Sequence, residues 1–247
     1  MNFRGELPMK TMVNMLMSVL LLVSLSPVHA REDAAPDVVY WDSEAGRVMR
    51  ARMPADADFW PLSATFAVQQ TQSYCSVASA ITVLNAMPIK KPVDPTYAPY
   101  AFFTQNNFFT PEVSKVISAQ TVLAQGMTRE EMVETMSLQG VKAETIPGDT
   151  LDDDGLRALL QKALGNDGKF VLANYLRKVL GQVGGGHWSV LAAYDAASDR
   201  VLILDVAKYK YAPEWVTISA LQNAIDTIDT TSNKARGLVL VSERENP

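Results

Sequence analysis

An α+β fold is predicted, with a helical N-terminal part that carries the single cysteine and a C-terminal antiparallel sheet that carries a histidine and an aspartate. Three observations point there. Cys75 opens an apolar run to residue 86 with the composition of a buried helix. From residue 169 onward, apolar runs of strand length recur at 170–174, 188–194, 201–206 and 238–241. Between two of them, residues 195–199 (Asp-Ala-Ala-Ser-Asp) have the composition of a hairpin turn. Helices first and hairpin-linked strands afterwards define the class.

The elements follow in order. Residues 1–30 have the make-up of a secretory leader: Lys10, an apolar stretch from Val13 to Leu25, and small residues up to Ala30. Cleavage is expected between Ala30 and Arg31, leaving residues 31–247 as one domain exported to a compartment such as the bacterial periplasm. The leader holds no cysteine, which excludes a lipoprotein anchor, and its apolar stretch is too short and interrupted for a stable membrane span. Residues 31–58 look irregular, apart from a short strand or docking segment at 38–41. The Cys75 helix is expected to stop before Pro88. Residues 97–109 form an aromatic, Asn-rich connection, after which Thr110-Pro111-Glu112 starts a helix. Thr128 and Glu131 form a capping box for a helix with an apolar stripe of Met127, Met132, Val133 and Met136, ended by Gly140. A short strand alternates through Val141, Ala143 and Thr145. Asp152-Asp153-Asp154-Gly155 reads as an acidic helix start, since the spacing of a calcium loop is missing.

Composition narrows the function. The net charge of −5 and a pI near 5.1, without a basic stripe, exclude a nucleic-acid partner. Outside the leader there is one histidine, His187, and one cysteine, Cys75, so no histidine or cysteine pair exists to build a zinc site and no metal cofactor is expected. A lone cysteine in an exported chain has no internal disulfide partner and is a packing residue, an intermolecular link or a reactive thiol.

The surroundings of Cys75 favour reactivity. A thiol at a helix start feels the positive end of the macrodipole, which stabilises thiolate. His187 follows Gly184-Gly185-Gly186 and begins a strand, and the next strand delivers Asp205. Nucleophile, base and orienting carboxylate in that order match a papain-like cysteine enzyme. Gln69, six residues before the cysteine, can present its side-chain amide beside the Cys75 backbone N–H as an oxyanion donor. Taken singly, each residue has a plainer reading: a packed cysteine, a core histidine, a turn-capping aspartate.

Several separated blocks resemble one family, the phytochelatin synthases. Gln69-x-x-x-x-Tyr74-Cys75-Ser76-Val77-Ala78-Ser79 is similar to its active-site helix. Asn174-Tyr175-Leu176-Arg177 and Gly185-Gly186-His187-Trp188-Ser189 are similar to its histidine segment. Leu204-Asp205-Val206-Ala207-Lys208-Tyr209-Lys210-Tyr211, with Pro213 and Trp215, is similar to its aspartate segment. The resemblance runs from about Pro61 to Val241. It implies a papain-like fold and transfer of γ-glutamylcysteine from glutathione, with Cys75 as nucleophile, His187 as acid/base, Asp205 as its orienter and Gln69 as oxyanion donor. Arg177 and Arg236 match arginines near the acyl site, where a guanidinium fork suits a free carboxylate, and Asn174 adds a neutral hydrogen bond. Read without the family, both arginines would be a solvated surface pair.

The resemblance further implies glutathione as partner, a homodimer as a compatible state, and a γ-glutamylcysteinyl thioester resolved by water or by a second glutathione. Plant-type members carry an additional cysteine-rich domain, whereas this chain has no thiol beyond Cys75. Any response to Cd2+ is therefore expected to act through metal–glutathione thiolates as substrate, with hydrolysis dominating chain extension. Two other readings stay open: an exported papain-like peptidase of other specificity, and a non-catalytic metal- or thiol-binding protein. The Lys208–Tyr211 alternation is expected to be an edge strand with solvated lysines.

Overall fold

The structure, a computed structural model, describes residues 37–165 and 168–244; the leader assigned to residues 1–30 lies outside the described residues. In chain order the elements are β1 (Val38–Tyr40), α1 (Glu44–Ala51), α2 (Phe59–Thr65), α3 (Cys75–Ala86), α4 (Val113–Val116), α5 (Ala119–Gln125), α6 (Arg129–Leu138) and β2 (Val141–Pro147). They continue with α7 (Asp153–Ala163), β3 (Lys169–Leu176), β4 (Gly186–Asp195), β5 (Arg200–Leu204), β6 (Glu214–Thr217), α8 (Ile218–Ile225), β7 (Ile228–Asp229), β8 (Lys234–Ala235) and β9 (Gly237–Glu243). Helices α1 to α6 precede the main run of strands, so the α+β class holds.

Seven strands form one sheet in the order β1-β6-β5-β4-β3-β9-β2, every described pair antiparallel. Its two faces serve separate cores. Leu172, Trp188, Val190 and Val239 face the layer of α3 and α6, while Val171, Leu191, Ile203 and Leu238 pack against α7 and α8. The period-2 pleat thus explains why β3 and β4 are apolar on both sides: the sheet is covered on both.

Helix α3 is apolar all round because it lies inside the protein; residues Val77, Ala78, Ala80, Val83 and Leu84 have no exposed surface. Its polar side chains are put to use. Thr82 bonds back to the Ala78 carbonyl and accepts from the Ala67 N–H. Asn85 pairs with both backbone groups of Phe103, donating at 2.8 Å and accepting at 2.9 Å, which pins the aromatic connection to the helix. That connection is otherwise turns, as its composition predicts.

Local capping rules hold where they were read. Thr128 and Glu131 form the reciprocal box, and Met132 and Met136 are fully buried beneath it. Gly140, at φ 93°, closes that end in a conformation that favours glycine. Asp152 accepts from the Gly155 N–H and caps α7. Thr110 accepts from the Val113 N–H as expected, yet the helix lasts one turn before α5, capped by Ser118, takes over.

Three expectations are corrected. The described part of 31–58 is not irregular, because Ser43 caps the helix α1; the short strand expected at 38–41 is present at 38–40, at the sheet edge. The Lys208–Tyr211 segment is a turn, not an edge strand: the ammonium of Lys208 sits 3.7 Å from the centre of the Phe66 ring and donates to the Phe66 carbonyl, while Lys210 donates to the Val183 carbonyl. These long-range contacts tether the ammonium groups to the protein, although both lysines stay exposed as expected. The third concerns Arg177 and Arg236, which are buried and not a surface pair.

Truncating Thr128 to alanine is expected to cost about 1 kcal/mol through the lost cap, and Met136→Ala about 2–5 kcal/mol through the cavity it leaves. Urea unfolding of both variants checks the ranking, and equal losses would contradict it.

Candidate active site

The sheet register brings the chemistry together. His187 is the second residue of β4 and pairs across with Tyr175 of β3. Leu204 pairs with Val190, so the chain running on from β5 carries Asp205 toward the His187 end of β4. Cys75 begins α3, which packs on the same strand. The three residues therefore converge from a helix start, a strand start and a strand end.

Their contacts are directed. Asp205 Oδ1 lies 2.9 Å from His187 Nε2, which leaves Nδ1 as the nitrogen for the thiol, and Cys75 and His187 are hydrogen-bonded. The ring of Tyr175 meets the imidazole edge-on, with centroids 5.5 Å apart, and so fixes its plane. Asp205 is wholly buried and receives the Ala207 N–H at 2.8 Å. Burial pushes the Cys75 thiol up, but the charge and hydrogen bond of His187, the Trp188 N–H and the charge of Arg177 outweigh it and bring the thiol below its ordinary value. Burial likewise opposes the imidazolium, yet Cys75 and Asp205 raise His187 above its ordinary value. Each charged form favours the other. Asp205 is held low despite burial, chiefly by His187 and then by Arg177.

Both arginines are buried, which corrects the surface reading. Arg177 gives Nη2 to Asp205, at 2.9 Å from Oδ1 and 2.7 Å from Oδ2, and Nη1 to Gln182 at 2.6 Å. It stands behind the carboxylate while its side chain also forms part of the cleft wall. Arg236 donates Nη1 to the side-chain amide Oδ1 of Asn174 at 2.7 Å, and its Nε has no partner among the described residues. A Cβ added to Gly186 would fall 2.4 Å from Arg236 Nη1, so glycine there is what lets the guanidinium lie against the strand that carries His187. The charge of Arg236 reaches Cys75.

Gln69 is 4% exposed and anchored from several sides. Its backbone N–H donates to Val206, next to Asp205, and its side-chain amide donates to the Thr71 carbonyl and to the Tyr209 hydroxyl, each at 2.8 Å. Sequence reasoning missed its support, Gln105. This buried amide accepts from the Gln70 N–H and donates to the Val68 carbonyl, gripping the backbone on both sides of Gln69. Also missed were Gln182, Tyr209 and Glu214; an isolated glutamate beside Trp215 and Val216 in an apolar stretch was the one available sign. A cleft of about 330 Å³ is lined by Gln69, Gln72, Arg177, His187, Tyr209 and Lys210, with Gly184, Gly185 and Gly186 as one wall. Among the described residues no cluster of three or more His, Cys, Asp or Glu side chains is arranged to hold a metal.

A thiol, an imidazole and a buried carboxylate in series, on a helix set against an antiparallel sheet, define a cysteine-nucleophile centre of the papain-like type. The chain belongs to the phytochelatin synthase family, whose model matches residues 30–238. It is similar to glutathione gamma-glutamylcysteinyltransferase 1 of Arabidopsis thaliana, 28% identical over 223 residues, covering 89% of this chain and 45% of the relative. The enzyme of the same name from Triticum aestivum is 31% identical over 76% of this chain and 36% of its own length. The Schizosaccharomyces pombe glutathione gamma-glutamylcysteinyltransferase is 24% identical over 77% and 44%. The chain thus spans less than half the length of these curated relatives. Solved structures with a likeness include the cysteine protease xylellain of Xylella fastidiosa (10% identity, TM-score 0.44, 81% of this chain and 90% of that one). A double glycine motif protease from an AMS/PCAT transporter, in complex with the leader peptide, shares 13% identity at TM-score 0.40, over 72% and 89%.

Two measurements test the electrostatics. Iodoacetamide alkylation of Cys75 is expected to set in at lower pH than for an ordinary thiol, and His187→Ala is expected to move that onset up. An unchanged onset would show that the imidazole does not hold the thiolate. Arg177→Met is expected to cost about 3–5 kcal/mol by stranding the Asp205 charge, read by denaturant unfolding. A loss below 1 kcal/mol would mean that the guanidinium serves only the cleft.

Proposed function

We propose that the protein transfers the γ-glutamylcysteinyl group of glutathione, with Cys75 as nucleophile. The observation that carries this reading is the Cys75–His187–Asp205 series beside a buried, partly unpartnered guanidinium, in a chain of the phytochelatin synthase family. The Cys75 thiolate attacks the cysteinyl carbonyl of glutathione, and His187 protonates the departing glycine nitrogen. A thioester to Cys75 remains. His187 then takes a proton from the incoming acceptor, and collapse of the second tetrahedral intermediate frees the thiol. Water as acceptor gives γ-glutamylcysteine; the amino group of a second glutathione gives a phytochelatin. Hydrolysis is the dominant branch in this reading.

Each supporting residue has a physical task. Gln69 donates to the oxyanion, which requires its amide to exchange the Tyr209 hydroxyl for the developing charge; such a donor lowers the barrier by ~3 kcal/mol. Arg236, with Asn174, meets the free carboxylate of the γ-glutamyl group through a charge-assisted fork. Arg177 works through Asp205, keeping the carboxylate ionised and fixed so that the imidazole stays oriented. Cd2+ enters as a glutathione thiolate complex, as part of the substrate. Export after cleavage near Ala30-Arg31 and assembly as a homodimer belong to the same proposal.

The purified protein incubated with glutathione, with and without Cd2+, is expected to release glycine and γ-glutamylcysteine, with phytochelatins as a minor product. Mass spectrometry beside a Cys75→Ala control reads the result. Absence of cysteine-dependent turnover would reject glutathione as substrate and leave a peptidase of other specificity. Long oligomers as the main product would overturn the hydrolytic preference.

A further inference from the structure

Behind Asp205 lies a second carboxyl that the mechanism above does not use. Glu214, on β6, has no exposed surface; it pairs in register with Tyr40 of β1 on one side and Ile203 of β5 on the other. A leucine or valine would fill this position in a sheet covered on both faces. The glutamate is instead joined to the site by hydrogen bonds. Gln182 donates Nε2 to Glu214 Oε2 at 2.5 Å and, through Oε1, accepts Arg177 Nη1 at 2.6 Å; Arg177 holds Asp205, and Asp205 holds His187. Glu214 Oε1 has no partner among the described residues. One guanidinium therefore stands between two carboxyls, one touching it and one reached through a single amide.

We propose that Glu214 is a positioning residue for the Cys75–His187–Asp205 centre, a reserve negative charge that holds the proton on His187 as the pH rises. This inference rests on that centre being the reacting one and is independent of which substrate it takes. The groups facing Glu214 are Tyr40 from β1, Tyr175 from β3, His187 from β4, Asp205 beyond β5, and Arg177 and Gln182 from the β3–β4 connection, with Tyr211 stacked on Tyr40. While Glu214 is neutral, Arg177 balances Asp205 and the imidazolium balances the thiolate, so the buried cluster carries no net charge. Burial, with the Asp205 charge beside it, pushes Glu214 up to about 8, against the opposing pull of Gln182, Arg177 and His187. Once it ionises, the cluster gains one negative charge in a medium that screens poorly, and loss of the His187 proton becomes harder. The sign is fixed by reciprocity: the imidazolium favours the Glu214 carboxylate, so the carboxylate favours the imidazolium.

The test follows the His187 imidazole by nitrogen NMR from pH 5 to 10, without substrate. It uses the full chain carrying His29→Gln, so that His187 is the one histidine observed. The Glu214→Gln variant, which keeps shape and removes charge, is expected to lower the His187 midpoint by about half a unit to one unit, the scale on which a buried charge moves a neighbour. Glu214→Asp is expected to restore part of it. Should Glu214→Gln not fold, Gln182→Met cuts the same chain, leaves Glu214 neutral to higher pH, and is expected to lower the midpoint likewise. An unchanged midpoint in the folded variant, or equal shifts in the Gln and Asp variants, would overturn the proposal. Because no glutathione is present, this outcome is separate from failure of the glutathione reading.

Discussion

The ion pair between Arg177 and Asp205 is the constraint on which the rest of the site depends. A carboxylate with no exposed surface is costly unless its charge is matched and hydrogen bonds hold it. Arg177 matches the charge of Asp205, at 2.7 Å from Oδ2, while Arg177, the Ala207 N–H and His187 all bond to Oδ1. Because Asp205 is so held, it can orient an imidazole without becoming protonated, and the imidazole in turn can favour a thiolate that burial alone would oppose. The thiol, at the start of a helix enclosed on every side, is the far end of a sequence of interactions that begins at the guanidinium. The arginine and its two carboxyls also explain why polar side chains are placed in the middle of an otherwise apolar sheet.

The architecture supplies position and the loops supply chemistry. Strands β4 and β5 fix His187 and Asp205 relative to each other through backbone register, so side-chain packing has only small adjustments left to make. Helix α3 presents Cys75 from the opposite side. Gln69 comes from neither layer. It is tied by one backbone bond to the segment after β5 and by Gln105 to the aromatic connection, so the helical layer and the sheet both bear on it.

What the sequence disclosed, it disclosed through local rules or through order. The capping box at Thr128, the cap at Asp152 and the end of α3 before Pro88 each depend on a few neighbouring residues, and they are as expected. Order along the chain brought Cys75, His187 and Asp205 together before any contact was visible. Failures share a cause. The Lys208–Tyr211 alternation has the period of a strand, but partners far away in sequence, Phe66 and Val183, bend it into a turn. Arginine is a surface residue by habit, and only a buried carboxylate two strands away makes Arg177 a core residue. Helix α1 hides because it is polar and buries little beyond Gly46 and Met49. Glu214 hides because nothing near it in sequence tells of Gln182.

The double grip of Gln105 makes residues 103–108 a measuring rod rather than a spacer. Asn85 sets one end by holding Phe103, and the buried Phe108 sets the other. The span between them determines how far the amide reaches toward Val68 and Gln70. A single residue inserted or deleted in that stretch would pull Phe103 and Phe108 out of step with the core and displace the backbone on either side of Gln69. Length in this connection is therefore under tighter constraint than its irregular shape would lead one to think, and variation in a partly buried aromatic loop becomes variation in the mouth of the cleft.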